Sequence, residues 1–164
     1  MKFTEHTVYL IIMKITRLFL ILFFCFFLIT CEDDHIKQVR IELCGPAGTA
    51  STNSTEGTLM NNKILYKDFN KRNYPGLQSI VFTAYLHSER STTDCIVKLF
   101  NLTDSISIEG STLSAGSVSG TWVETGNLAD ALPLHPIDLT VLIRSEYPNI
   151  SVSMSAAYLY IDMN

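Results

Sequence analysis

Apolar and polar residues alternate with a period of two along much of the chain, which is the pattern of β-strands that face water on one side. The segment 39–43, VRIEL, is the first example, and 78–87, QSIVFTAYLH, is a longer one. The segment 95–102, CIVKLFNL, follows, and 137–145, IDLTVLIRS, alternates over its whole length. These runs predict that strands rather than helices build the core.

The chain closes on a long predicted strand, ISVSMSAAYLYID, at 150–162. We expect Tyr85, Tyr158 and Tyr160 to serve in core or inter-strand packing. Strict alternation through the last strand places Tyr158 and Tyr160 in its inward row. About eight strands, with turn signals roughly every 8–12 residues, predict an all-β fold, an antiparallel two-sheet sandwich. The predicted row of the last strand is Ile150, Val152, Met154, Ala156, Tyr158 and Tyr160.

The N-terminal part has the features of a secretory signal peptide. Residues 18–30 form a run of thirteen residues without any charge, and Lys14 and Arg17 precede it. A membrane-spanning helix needs roughly 20 apolar residues, whereas a shorter run fits the apolar region of a signal peptide. We therefore predict a signal-peptide helix over residues 1–30, with Met13 as a second candidate start.

The last three residues of the predicted signal peptide and the cysteine after them read LITC, at 28–31, which resembles the lipobox of bacterial lipoproteins. The resemblance implies that Cys31 carries the lipid as the first residue of the mature protein and anchors it in the bacterial cell envelope, at the outer membrane. CEDD at 31–34 resembles the acidic tract of some surface-exposed lipoproteins of the Bacteroidetes group. On this interpretation 31–38 is an acidic tether and 39–164 is the sandwich domain.

Two other interpretations of the N-terminus are open. An uncleaved signal anchor would place Lys14 and Arg17 inside the membrane, at a cost of a few kcal/mol each. A secreted eukaryotic protein would use its Asn-X-Ser/Thr sequences as glycan acceptors, and these begin at Asn53, Asn101 and Asn149.

Two cysteines are left once the signal peptide takes Cys25 and the lipid takes Cys31. In an oxidising compartment, Cys44 and Cys95 are predicted to form a disulfide. The bond would close a loop of about 50 residues and stabilise the domain by roughly 3–4 kcal/mol in the chain-entropy model. The alternative is a pair of buried thiols.

The charge balance and the missing motifs exclude several functions. The part after Cys31 holds 9 Lys and Arg against 15 Asp and Glu, a formal charge of −6, so no nucleic-acid partner is predicted. The sequence contains no HExxH, GxSxG, phosphate-loop or GxGxxG motif. His87 and His135 are predicted to be solvated, and Glu109 and Glu124 to be exposed acids rather than a glycosidase pair. We therefore predict a protein that is not an enzyme.

The stretch from Tyr74 onward, YPGLQSIVFTAYLHS and then CIVKLFNLTDSISIEGSTL, resembles bacterial jelly-roll modules of the carbohydrate-binding kind. The resemblance implies a jelly-roll-like sandwich. Sugar sites use aromatic rings against the C–H face of a pyranose, with polar side chains for its hydroxyls. The candidate ligand-binding residues are Trp122, Tyr74, Tyr147, Arg144 and Glu124.

Related jelly rolls often hold a structural calcium ion with oxygens at strand ends, and Asp68, Asp104 and Asp162 occupy such positions here. No other cofactor is predicted. The sequence as a whole predicts a membrane-anchored, extracytoplasmic, non-catalytic module that binds glycan. The alternative is a structural, adhesion or envelope-assembly protein that makes protein–protein contacts.

Overall fold

A computed structural model describes residues 37–45 and 49–164 of the chain. The signal peptide, Cys31 and most of the predicted tether lie outside the described residues. Within the described ranges the chain forms a 3-10 helix at Lys71–Asn73 and eleven strands: β1 Lys37–Cys44, β2 Ala50–Thr52, β3 Thr58–Leu59, β4 Tyr66–Phe69, β5 Leu77–Ser88, β6 Cys95–Asn101, β7 Ile106–Ser107, β8 Leu113–Ala115, β9 Thr121–Glu124, β10 Ile137–Ser145 and β11 Val152–Met163.

The strands form two antiparallel sheets, so the predicted all-β sandwich is confirmed, and the arrangement is consistent with a jelly roll. The first sheet has the order β1-β11-β5-β9, and β2 also pairs with β11. The second sheet has the order β3-β10-β6-β7, with β4 on β10 and β8 on β6. No helix in the described ranges has the length and apolarity needed to cross a membrane.

The interior between the sheets is filled by the side chains that the alternation predicted to face inward. Each large aliphatic or aromatic side chain contributes about 1.5–3 kcal/mol when it is fully removed from water. The central strands β5, β6 and β10 therefore provide much of the stability of the sandwich. Their fully buried residues include Ile80, Phe82, Leu86, Val97, Leu99, Leu139, Val141 and Ile143.

A β-bulge in β11 reverses which side chains of this strand face the core. Met154 pairs with Leu86 and Ala156 pairs with Tyr85, so Ser155 is an extra residue in the ladder. Because side chains alternate with a period of two, one extra residue moves every later side chain to the opposite face. The prediction of one unbroken inward row is therefore wrong beyond Met154.

After the bulge, the aliphatic residues of β11 face the core and its aromatic residues face outward. Leu159 and Ile161 are completely buried, whereas Tyr158 and Tyr160 are only partly buried. The outer face of the first sheet consequently receives two tyrosines that the sequence pattern assigned to the row of Val152 and Met154.

The predicted disulfide between Cys44 and Cys95 is not formed. The Cys95 thiol donates a hydrogen bond to the carbonyl oxygen of Ser153, at 3.6 Å, whereas Cys44 pairs with Ala157. Four residues of extended strand separate Ser153 from Ala157, which is about 13 Å along β11. Burial raises the pKa of the Cys44 thiol and raises that of Cys95 from 9.0 to about 12.

Candidate functional site

The outer face of the first sheet carries a shallow groove of about 540 Å³, which we call the aromatic groove. Its floor crosses all four strands of the sheet order, from β1 through β11 and β5 to β9. The lining residues are Gln38, Arg40, Val81, Thr83, Trp122, Glu124, Tyr158, Tyr160 and Asp162.

Aromatic rings form a continuous chain through the groove. The rings of Trp122 and Tyr158 are stacked, with their centroids 5.9 Å apart and their planes at 25°. Tyr160 extends the chain at 6.2 Å from Tyr158, and Tyr85 meets Trp122 edge-on at 5.3 Å. Trp122 is 51% exposed, so its ring is available to a ligand.

A tight turn before β9 sets the position of Trp122. Gly120 has a φ of +79°, and a Cβ atom added there would overlap the ring of Tyr85. The Tyr85 hydroxyl donates a hydrogen bond to the carbonyl oxygen of Ser119, at 2.8 Å. The turn thus needs a glycine, and Tyr85 holds both the turn and the indole that follows it.

The cation of the groove is Arg40 on β1. Its guanidinium carbon lies 5.0 Å from the centroid of the Tyr158 ring, which is the distance of a cation–π contact. The contact orders the phenol ring and leaves the guanidinium N–H groups pointing away from it available to a ligand.

The two carboxylates of the groove differ in their surroundings. Asp162 accepts hydrogen bonds from the Ser79 hydroxyl at 2.6 Å and from the Gln38 amide at 2.8 Å, and these bonds lower its pKa. Glu124 is exposed and has no hydrogen-bond or ion-pair partner among the described residues. Asp162 is consequently held as an ionised acceptor, and Glu124 is open to a ligand.

The structure brings together only two of the five predicted ligand-binding residues, Trp122 and Glu124. Tyr74 stacks on Phe69 at 6.1 Å near the core, where burial raises its pKa to about 12. Arg144 lies on β10 in the second sheet, and Tyr147 lies in the loop after that strand. These three residues are not part of the groove.

Sequence reasoning missed the larger part of the groove, namely Tyr158, Tyr160 and Arg40. The sequence did hold a signal for this arrangement. In the second half of β11 the aliphatic residues Leu159 and Ile161 stand at odd-numbered positions and alternate with the tyrosines, whereas Val152 and Met154 stand at even-numbered positions. An inward aliphatic row after residue 156 requires a bulge before it. The same shift places Asp162 in the groove.

The three predicted calcium ligands are not brought together. Asp162 belongs to the groove of the first sheet, whereas Asp68 lies in β4 of the second sheet. The Asp104 carboxylate binds the Asn101 amide at 2.7 Å and His135 Nε2 at 2.9 Å. Within 37–45 and 49–164 no group of three or more His, Cys, Asp or Glu side chains is arranged to hold a metal ion.

A second hollow, of about 510 Å³, lies beside the 108–111 turn and the 125–131 loop. Its lining residues are Glu109, Gly110, Gly126, Asn127, Leu128, Asp130 and Ala131. Glu109 and Glu124 therefore line different hollows and do not flank a common ligand.

No family model matches the chain, and no curated protein matches it. Among solved structures, the VP2 subviral particle of infectious bursal disease virus matches at 8% identity with a TM-score of 0.48, over 80% of this chain and 33% of the other. The chain thus spans about a third of the length of that viral protein.

Two carbohydrate-binding modules match over most of their own length. The CBM36-1 domain of a multidomain xylanase from the hindgut metagenome of Trinervitermes trinervoides matches at 11% identity with a TM-score of 0.41, over 76% of this chain and 96% of the module. The xylan-binding module CBM15 matches at 12% identity with a TM-score of 0.45, over 76% and 97%. At these values neither similarity carries a functional argument.

Proposed function

We propose that this protein is a non-catalytic carbohydrate-binding module and that a glycan chain lies in the aromatic groove. The observation that carries the proposal is the exposed indole of Trp122, continuous with the rings of Tyr158 and Tyr160, beside charged and amide side chains. The rings offer a flat apolar surface for the C–H faces of pyranoses. Arg40 and Glu124 supply a donor and an acceptor for hydroxyl groups next to that surface.

The chemistry of the groove favours binding over glycoside hydrolysis. A glycosidase pairs a protonated carboxylic acid of raised pKa with a second carboxylate across the bond to be cleaved. The hydrogen bonds from Ser79 and Gln38 lower the pKa of Asp162 instead, which is the wrong direction for a general acid. Glu124 is exposed on β9, the strand at the edge of the first sheet.

A glycan array probed with the chain from residue 32 onward tests this proposal directly. Reproducible binding to a defined set of glycans, competed by the soluble oligosaccharide, is the expected result. Absence of binding across a broad panel, with circular dichroism showing a folded β-protein, would contradict the proposal.

We also propose that the protein is a lipoprotein of the bacterial cell envelope, anchored through Cys31. The support is the sequence: the uncharged run 18–30 ends in LITC, and the acidic residues that follow suit a tether in water. Metabolic labelling with a fatty-acid analogue should mark the wild-type chain. Label that persists in Cys31→Ser would defeat the anchor.

One observation favours protein–protein contact as a second candidate function. β1 is eight residues long and is an edge strand of the first sheet, paired on one side only, with β11, within the described residues. Such an edge can accept a further strand from a partner. This candidate predicts a protein partner that still binds the Trp122→Ala variant. The same partner should no longer bind when a proline interrupts β1.

A further inference from the structure

The aromatic groove carries more negative than positive charge. Among its lining residues in the described chain, Glu124 and Asp162 are acidic and Arg40 is the one cation. Glu42, exposed two residues along β1 from Arg40, adds a further acid to the same outer face. The summed charge of the groove and of this neighbouring acid is therefore negative.

The acids lie beside the chain of rings: Glu124 occupies the cross-strand row of Thr83 and Tyr158, and Asp162 lies beyond Tyr160 on β11. Glu124 is two residues from Trp122 on the outer face of β9, and Asp162 is two residues from Tyr160 on the outer face of β11. Residues two apart on one face of a strand are about 7 Å from each other. A sugar stacked on the ring of Trp122 or of Tyr160 would consequently lie close to an acidic side chain.

The one cation already contacts an aromatic ring. Arg40 is held over the ring of Tyr158, towards the middle of the chain of rings, by its cation–π contact. The hydrogen bonds from Ser79 and Gln38 keep Asp162 ionised at neutral pH. The Glu124 carboxylate has no partner among the described residues to neutralise it.

We infer that the aromatic groove selects uncharged, hydroxyl-rich glycan chains and rejects chains of uronic acids. The inference rests on the proposed function and specifies its ligand class. Hydroxyl groups can donate hydrogen bonds to the carboxylates of Glu124 and Asp162, whereas a sugar carboxylate has no proton to donate and is repelled by both.

The test compares glycans of one backbone that differ only in charge. The probes are hexamers of β-1,4-linked glucose and of β-1,4-linked glucuronic acid, with neutral and uronate chains of other linkages on the same array. At low salt each neutral chain that binds should bind about tenfold or more tightly than its uronate counterpart. The ratio should shrink at 0.5 M salt, because exposed charges are then screened within a few ångströms.

Two substitutions should move the discrimination in opposite directions. Glu124→Gln removes an acid and keeps the shape of the side chain, so it should reduce the ratio of neutral-chain to uronate-chain affinity several-fold. Arg40→Gln removes the cation and should increase that ratio. Glu56→Gln is the matched control, since Glu56 is exposed in the loop between β2 and β3, outside the groove, and it should leave the ratio unchanged.

The outcomes separate this inference from the function on which it rests. A uronate chain that binds as tightly as its neutral counterpart, or more tightly, overturns the inference and leaves glycan binding in place. A ratio that does not change in Glu124→Gln overturns the electrostatic cause. A folded protein that binds neither kind of chain overturns the proposed function and the inference together.

Discussion

The rings of Trp122 and Tyr158 stack with their centroids 5.9 Å apart, although a whole strand lies between the strands that carry them. Trp122 is on β9, Tyr158 is on β11, and β5 separates the two. Two strand spacings amount to about 10 Å, so both side chains must lean over β5 to meet. The position of β5 beside Tyr158 is Thr83, a residue small enough to leave room for them.

The stacked pair makes Trp122 the first residue to test. Trp122→Ala should weaken glycan binding by about tenfold or more, which corresponds to about 1.4 kcal/mol, because the largest exposed ring of the groove is lost. Stability should change little, since the side chain is 51% exposed. Isothermal titration calorimetry with the best glycan from the array, together with a thermal melt, measures both.

The matched control for this substitution is Tyr147→Ala. Tyr147 is 53% exposed, like Trp122, but it lies in the loop after β10. The Tyr147→Ala variant should bind glycan as tightly as the wild type does. Equal losses in both variants would show that the groove is not the binding site.

The bulge in β11 predicts opposite effects for two neighbouring residues. Leu159→Ala should reduce the free energy of unfolding by about 2–5 kcal/mol, because Leu159 is completely buried. Tyr160→Ala should cost much less stability and should instead weaken glycan binding, because its ring lines the groove.

Urea denaturation of the two variants measures the difference. A larger loss of stability in Tyr160→Ala than in Leu159→Ala would mean that the strand runs in the unbulged register. In that case Tyr158 would also leave the groove.

Gly120 should tolerate no side chain. Gly120→Ala places a Cβ atom at a positive φ and against the Tyr85 ring, so we expect a loss of at least about 1 kcal/mol of stability and weaker glycan binding. The emission of Trp122, the one tryptophan of the chain, should shift as its surroundings change.

Gly126→Ala is the control for this backbone effect. An added Cβ there has no atom within 4 Å, so the variant should match the wild type in stability, binding and fluorescence. If Gly120→Ala behaves like Gly126→Ala, Tyr85 does not hold the turn before β9.

The thiol of Cys95 predicts a decline of stability at alkaline pH. Its pKa is about 12 in the folded protein against an ordinary 9.0, so the folded state keeps a proton that the unfolded state loses. Stability is then complete below about pH 9 and falls by up to about 1.4 kcal/mol per pH unit above it. Cys44, whose pKa is also raised, acts in the same direction.

Urea midpoints measured between pH 8 and pH 10 test this loss of stability. The upper limit is pH 10 because Tyr74, whose pKa is also raised, lowers the stability only above about that pH. Cys95→Ala should flatten the decline. Dithiothreitol at pH 8 should leave the wild-type midpoint unchanged. A lower urea midpoint after reduction would show that Cys44 and Cys95 form a disulfide in the wild-type protein.

Alternation predicted the apolar core residues of the long strands β5 and β10. Phe82 in β5 and Val141 in β10 occupy apolar positions of the alternating segments 78–87 and 137–145, and both are completely buried. Period-two reasoning fails at Ser155 because a bulge is a local insertion that leaves the composition of the strand unchanged. The aliphatic residues Leu159 and Ile161 carried the information, but only the pairing with β5 makes it unambiguous.

The site was harder to predict than the core, because it is assembled from strands far apart in the sequence. The sequence predicted Trp122 and Glu124 as candidate ligand-binding residues, because an aromatic ring and a carboxylate suit a sugar. Arg40 meets Tyr158 only because the first and last strands of the domain pair with each other. Strand order is set by the whole fold, so no local pattern around Arg40 indicates this contact.

The position of β1 at the edge of the first sheet links the groove to the mobility of that strand. Edge strands open locally more often than central ones, and their amide hydrogens exchange with solvent sooner. A ligand that contacts Gln38 or Arg40 at one end and Trp122 at the other would hold β1 in place against the rest of the sheet, because it bridges β1 and β9. Occupancy of the groove should then slow deuterium uptake across 37–44, far along the sequence from the indole.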